Sequence, residues 1–186
     1  MPLSRLTSLV PPPENPLDIG STRNWERVQE RLGVNLPTDY KALIDCYGTG
    51  RFSIGILLIS PLSKSDDHNL FHVLEVHHHA NSHVQKMLGK PWSVLDPFHL
   101  YPAPDGLLPW GTTEDFTINL FWHLEGKPES WSTVIYHLGT GEYEVWKLDV
   151  VHFLLKWLTR EINSMILSNK KINDDHPVRF ISLPAY

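Results

Sequence analysis

After Gly89 the apolar residues of this chain change period, and that change limits the fold more than any other feature. Before it, outside one strand-like run at 52–59, they recur every three or four residues, as on one face of a helix; beyond it they fall in short blocks between Pro, Gly and Asp turns. The blocks are "FHLYPAPDGLLPWG", "FTINLFWHL", "STVIYHL" and "EYEVWKL", and the "GTG" between the last two is a hairpin signal. They predict an antiparallel meander. In "FTINLFWHL", alternation puts Phe116, Ile118, Leu120 and Trp122 on one face and Thr117, Asn119, Phe121 and His123 on the other. Since the second face also carries an aromatic, it is expected to be partly covered.

Helices are expected on either side of this meander. In "STRNWERVQERLG", Ser21 or Thr22 can cap a helix bearing Trp25, Val28 and Leu32, and Gly33 stops it. In "LPTDYKALIDCYGTG", Thr38 can cap, Tyr40, Leu43, Ile44 and Tyr47 share a face, and Gly48 ends the helix. "RFSIGILLIS" reads as one buried strand from Phe52 to Ile59. From about Asp67 to Leu88 the helical stripe is Leu70, Val73, Val76, Ala80, Val84, Met87 and Leu88. Asp149 can cap a last helix, "VVHFLLKWLTREINSMI". Pro11, Pro12 and Pro13 with "ENP" predict an extended, Pro-rich arm over residues 1–20. The folded body is then residues 21–167, and residues 168–186 form a C-terminal tail ending in the apolar "VRFISLP". The expected fold class is α+β, a single domain with a mainly antiparallel sheet packed against several helices.

Composition narrows the function classes. Apolar residues make up 41% and charged residues 20%, enough apolar surface for a core. No apolar run approaches the roughly 20 residues that cross a bilayer, and the first residues lack a secretory h-region, so the cytoplasm is expected and a membrane partner is not. Cys46 is the single cysteine, which rules out an internal disulfide framework and any zinc site needing two thiolates. The formal charge of −5, with Lys and Arg scattered, argues against direct nucleic-acid binding. Seven tryptophans, Trp25, Trp92, Trp110, Trp122, Trp131, Trp146 and Trp157, are spread over every element, which suits a core better than a base-stacking platform.

Catalytic motifs are hard to place. "VLEVHHHANSHVQKML" gathers His77, His78, His79 and His83, and on a helix only His79 and His83 stack one turn apart. That is the i, i+4 geometry of H-E-x-x-H, but Ala80 stands where the general-base Glu belongs, and although His72, His99, His123 or an acidic residue could add a third ligand, no spacing requires it. A His-based metallohydrolase is therefore a distant alternative. His77 is predicted to face the core and His78 water. No G-x-S-x-G turn is present, and Cys46 sits mid-helix, so no nucleophile, cofactor or metal is expected. "YGTGRF" lacks the third glycine of a dinucleotide cradle and reads as a helix cap and turn. The two "DDH" runs, Asp66 to His68 and Asp174 to His176, read as a helix start or solvated acidic surface.

Two blocks carry a family resemblance. "NWERVQERLGVNLPTDYKALIDCYGTGRF", residues 24–52, resembles the opening of the SUKH superfamily: a helix with Trp, then LG, LP-x-D-Y and YG-x-G. "YPAPDGLLPWGTTEDFTINLFWHLEGKPESWSTVIY", residues 101–136, resembles its second half, with GLLPWG, a strand leading to Trp, and a G-x-P-x-x-W turn. The resemblance spans roughly residues 21–162. It departs after PWG, where many relatives have a glycine turn and this chain has Thr113, Glu114, Asp115 and Phe116. What it implies is a non-enzymatic binding protein. Most bacterial members look like immunity proteins that bind and neutralise a cognate toxin domain of polymorphic or contact-dependent systems; others are regulatory interaction scaffolds with an endogenous partner. Against a basic toxin such as a nuclease, the expected contacts are carboxylates in polar turns or beside exposed aromatics: Glu114, Asp115, Glu125, Glu129, Glu142 and Glu144.

Overall fold

The computed structural model describes residues 1–89, 93–168 and 177–184. Among these, the meander is the backbone of one seven-stranded, wholly antiparallel sheet: β1 (Gly50–Phe52), β2 (Ile56–Leu58), β3 (Leu107–Thr113), β4 (Ile118–His123), β5 (Ser132–His137), β6 (Tyr143–Trp146) and β7 (Phe180–Ser182). The order across the sheet is β6-β5-β4-β3-β2-β1-β7. Ladder pairs such as Leu120 with Ile135 and Ile135 with Glu144 give two faces. Ile118, Leu120 and Trp122 lie on one; Asn119, Phe121 and His123 lie on the other, as the alternation predicts. The chain is an α+β single domain.

The first face carries the main core. It is covered by α3 (Thr38–Tyr47) and α5 (Val150–Leu158), with Tyr40 edge-on to Trp122 at 4.6 Å and Phe153 6.1 Å from Trp110. A bulge at Trp110, between Pro109 and Gly111, interrupts the β3–β4 register. Beside α3 packs α2 (Thr22–Leu32), whose Ser21 caps Asn24 N–H and whose Asn24 side chain returns the bond to the Ser21 N–H. Trp25, Trp110, Trp122, Trp131 and Trp157 are all buried and Trp146 is half-buried, so these six belong to the core; Trp92 lies outside the described residues. The second face is covered in part by α4 (Leu70–Leu88), with His77 5.9 Å from Phe121.

The glycines of "YGTG" have a packing reason. Gly48 ends α3 at φ 68°, and a Cβ there would collide with the backbone of Leu17, whose carbonyl accepts from Thr49 N–H at 2.8 Å. At Gly50 a Cβ would strike the Ile181 carbonyl and the Phe180 ring, so only glycine lets β7 close on β1.

Four expectations are corrected. Residues 1–20 do not form a loose arm throughout: Pro2–Leu9 is a helix, α1, seated on α5 and α3 with Leu6 and Val10 fully buried. The single strand expected from Phe52 to Ile59 is a hairpin, because Gly55 at φ 84° lets its N–H return to the Phe52 carbonyl at 2.9 Å. The last helix stops at Leu158 rather than Ile166, and Arg160 follows at φ 60°. The tail is partly sheet: Phe180 in β7 packs 5.2 Å from Phe52 and 4.9 Å from Tyr47. Asp174 to His176 lie outside the described residues.

Candidate functional site

The histidine helix begins at Asn69, whose side chain accepts from Phe71 and His72 N–H at 3.0 and 3.4 Å. Its buried residues are Leu70, Leu74 and His77, while Val76, Met87 and Leu88 are exposed. The apolar stripe read from sequence is thus rotated, since the C-terminal half of α4 carries Val84, Met87 and Leu88 on a stretch with no buried residue. His77 is buried as predicted; burial, with His78 alongside, pushes its imidazole down to about 4, so it is neutral at pH 7. His78 does not simply face water. It is half-buried, and its Nε2 meets the Tyr101 carbonyl at 2.8 Å, because the loop before β3 folds back onto α4. His79 and His83 are exposed, and among the described residues no group of three or more His, Cys, Asp or Glu is placed to hold a metal ion. At Asp66–His68 the "DDH" run is a short 3-10 turn with His68 buried.

The six carboxylates proposed as contacts do not form one patch. Glu114 pairs with Arg51 from β1. Asp115 closes its own turn, accepting from Thr113 Oγ1 at 2.5 Å and from Thr117 N–H at 3.2 Å. Glu142 accepts from Thr140 Oγ1 at 3.0 Å in the β5–β6 hairpin. Glu144 is an internal tie: it accepts from Trp146 Nε1 at 3.2 Å and from Met165 and Ile166 N–H at 2.7 and 3.3 Å. These last two bonds hold the chain against β6 beyond the end of α5. Of the six, Glu125 and Glu129 line one concavity together.

That concavity is a groove of about 630 Å³ at the end of the sheet, lined by Glu125, Glu129, Trp131, Lys147, Asp149 and His152 among others. The G-x-P-x-x-W turn builds one wall, with Trp131 Nε1 donating to the Gly126 carbonyl at 3.4 Å. The other wall is the start of α5, where Asp149 accepts from His152 N–H at 2.8 Å and faces His152 Nδ1 at 2.6 Å. A carboxylate orienting an imidazole is half of a nucleophile-activating arrangement. The other half is missing among the described residues: no hydroxyl is hydrogen-bonded to His152, and Ser130 Oγ donates to the Lys127 carbonyl at 2.8 Å. The groove brings the charged side chains of Glu125, Glu129, Lys147 and Asp149 to one recess. Asp149 was legible in the sequence only as a helix cap.

Behind Asp149 lies Asp39, whose Oδ2 accepts from Val151 N–H at 3.2 Å. Burial first, then the Asp149 carboxylate, push Asp39 up to about 6. Between roughly pH 4 and pH 6 the unfolded chain loses this proton while the folded chain keeps it, so stability falls as pH rises through that window and levels above it. Asp39→Asn is expected to remove that fall. The variant should be more stable by on the order of 1–3 kcal/mol at pH 7.5 and indistinguishable near pH 4, read from urea unfolding at both pH values.

Among the described residues no helix is long and apolar enough to cross a membrane. No curated protein and no solved structure matches the chain. The model of the SUKH_6 family, described as SMI1-KNR4 cell-wall, matches residues 22–154, from the first residue of α2 into α5. That match covers well over half of the 186 residues and takes in both sequence blocks, strands β1 to β6 and the groove: the chain belongs to the SUKH superfamily.

Proposed function

We propose that this chain is a non-enzymatic immunity protein that neutralises a cognate toxin domain by binding it at the groove around Glu125, Glu129 and Asp149. The observation that carries the reading is this groove, in which two carboxylates from a strand-connecting turn face the capped N-terminus of α5. Of the six candidate carboxylates, Glu125 and Glu129 are the ones with a recess beside them, and Trp131 supplies an aromatic wall of the kind found at interface anchors. The overall charge of −5 favours encounter with a basic toxin domain, such as a nuclease, and disfavours direct contact with nucleic acid.

The test is co-expression with the product of an adjacent toxin gene, followed by co-purification and survival of the cells. The Glu125→Lys, Glu129→Lys double variant is expected to weaken capture of the toxin domain at least tenfold, mostly through slower association, with the loss smaller at high salt. Glu142→Lys, at the opposite end of the sheet, is expected to change affinity less than twofold. Equal losses from the two variants would remove the groove as the contact. A regulatory scaffold with an endogenous partner is the second reading, favoured by the cell-wall description of the matching family model. It requires that the chain co-purify with a partner from its own cell in the absence of any toxin.

A further inference from the structure

Between α4 and the second face of the sheet, where β3 turns into β4, lies a cavity of about 340 Å³. Its volume falls at the lower end of the roughly 300–1,000 Å³ typical of small-molecule sites. Apolar side chains form most of its wall, among them Ile59, Val73, Ala80, Val94 and Leu138. Val76 and Phe116, 52% and 48% exposed, also line it and give it an apolar mouth. The exposed Asp67 and His72 line it as well.

Inside, three buried polar side chains interrupt the apolar wall: His77, 8% exposed, Asn119, 4% exposed, and Thr112, whose Oγ1 donates to the Ile118 carbonyl at 3.1 Å. Asn119 Nδ2 donates to the Phe116 carbonyl at 3.3 Å. The His77 imidazole makes no hydrogen bond to any described residue; its ring packs against Phe121. Its nitrogens are not sealed from solvent, so a ligand group that bonds them takes the place of water at the cavity wall, whereas a group that covers them without bonding leaves them unpaired at a cost. Held neutral, it offers one donor and one acceptor. The mouth is unusual too: Phe116 sits at φ 56°, in the left-handed region that favours glycine, and places an aromatic where the turn needs no side chain.

We propose that this cavity binds a small, uncharged, largely apolar molecule carrying one hydrogen-bonding group, which packs against Val73, Ala80 and Leu138 and completes the hydrogen bonding of His77. An aliphatic side chain from a protein partner would fill the apolar part and leave the imidazole unpaired, which favours the small polar-tipped molecule. The site is separate from the groove of the proposed toxin contact and does not depend on it.

The probes are p-cresol, a ring with one hydroxyl, and toluene, the same ring without it, titrated into the full chain and followed by amide chemical shifts. p-Cresol is expected to saturate, to shift His77, Asn119 and Phe116, and to bind at least fivefold more tightly than toluene. His77→Leu should bring the two probes within twofold of each other. Ala80→Trp, at an exposed lining position, should weaken p-cresol at least tenfold, and Val76→Trp serves as a second blocking variant should the first not unfold cooperatively. Equal binding of both probes to the unaltered chain, or unchanged binding after blocking, overturns the proposal. Silence toward both probes, with Val76→Trp impairing toxin capture, would assign the cavity to a macromolecular contact and overturn it equally.

Discussion

Replacing Tyr40 by alanine is expected to destabilise the fold by about 3–5 kcal/mol, and replacing it by phenylalanine by about 1 kcal/mol. Tyr40 is fully buried. Its ring stands edge-on to Trp122 at 4.6 Å and lies 6.3 Å from Trp25, so it touches the sheet and α2 from within α3. Its hydroxyl donates to the Ile59 carbonyl at 2.5 Å, just beyond β2, and burial pushes the phenol up, so the proton stays in place to donate. Alanine removes a large side chain where three elements meet and leaves a cavity whose walls are themselves rigid aromatics. Phenylalanine keeps the packing and leaves one buried carbonyl short of a donor. Urea unfolding midpoints for the two variants separate the terms. A Tyr40→Ala cost below about 1 kcal/mol would mean that α3 is not seated on Trp122 as described. The same contact explains why Tyr follows LP-x-D in the sequence: the break at Pro37 sets the start of α3, and the third residue inside it reaches the sheet.

Local pattern made most of the sheet legible, because alternation and turn chemistry act over a few residues. "FTINLFWHL" sorted its side chains correctly from Ile118 to His123, and His77 faced the core as helical geometry required. Phe116 escaped that alternation, since its positive φ places it in the turn before β4 rather than in the strand. What the sequence hid was set by distant partners. Nothing near Glu144 announces that it will accept from the amides of Met165 and Ile166, and nothing near Glu114 announces Arg51. A carboxylate in a polar turn looks the same whether it is solvated, spent on a turn or open to a partner, so the six candidates could be listed but not ranked. The apolar cavity was equally invisible, because it depends on where α4 crosses the sheet.

The N-terminal helix is the case where the signal was present and outweighed. Leu3, Leu6 and Val10 recur at helical spacing after a proline suited to a first turn, but the three prolines that follow predict extended chain, and a helix of 8 residues is marginal on its own. The missing premise is in α5. "VVHFLLKWL" is apolar nearly all round, and seven of its side chains are buried, so the sheet and α3 cannot cover it alone. α1 supplies the remaining cover, and Tyr47 donates to the Val10 carbonyl at 2.6 Å where the chain leaves the helix. Leu6→Ala is therefore expected to cost about 2–5 kcal/mol, the range for a fully buried leucine. Deleting residues 1–10 should cost more, because it also strips Val10 and uncovers one side of α5. Against a total stability of about 5–15 kcal/mol for a domain, that deletion should leave a chain that unfolds well below the parent temperature or is aggregation-prone. A loose arm would behave otherwise: its removal would leave the melting temperature within about a degree, and calorimetry of the truncated chain decides between the two.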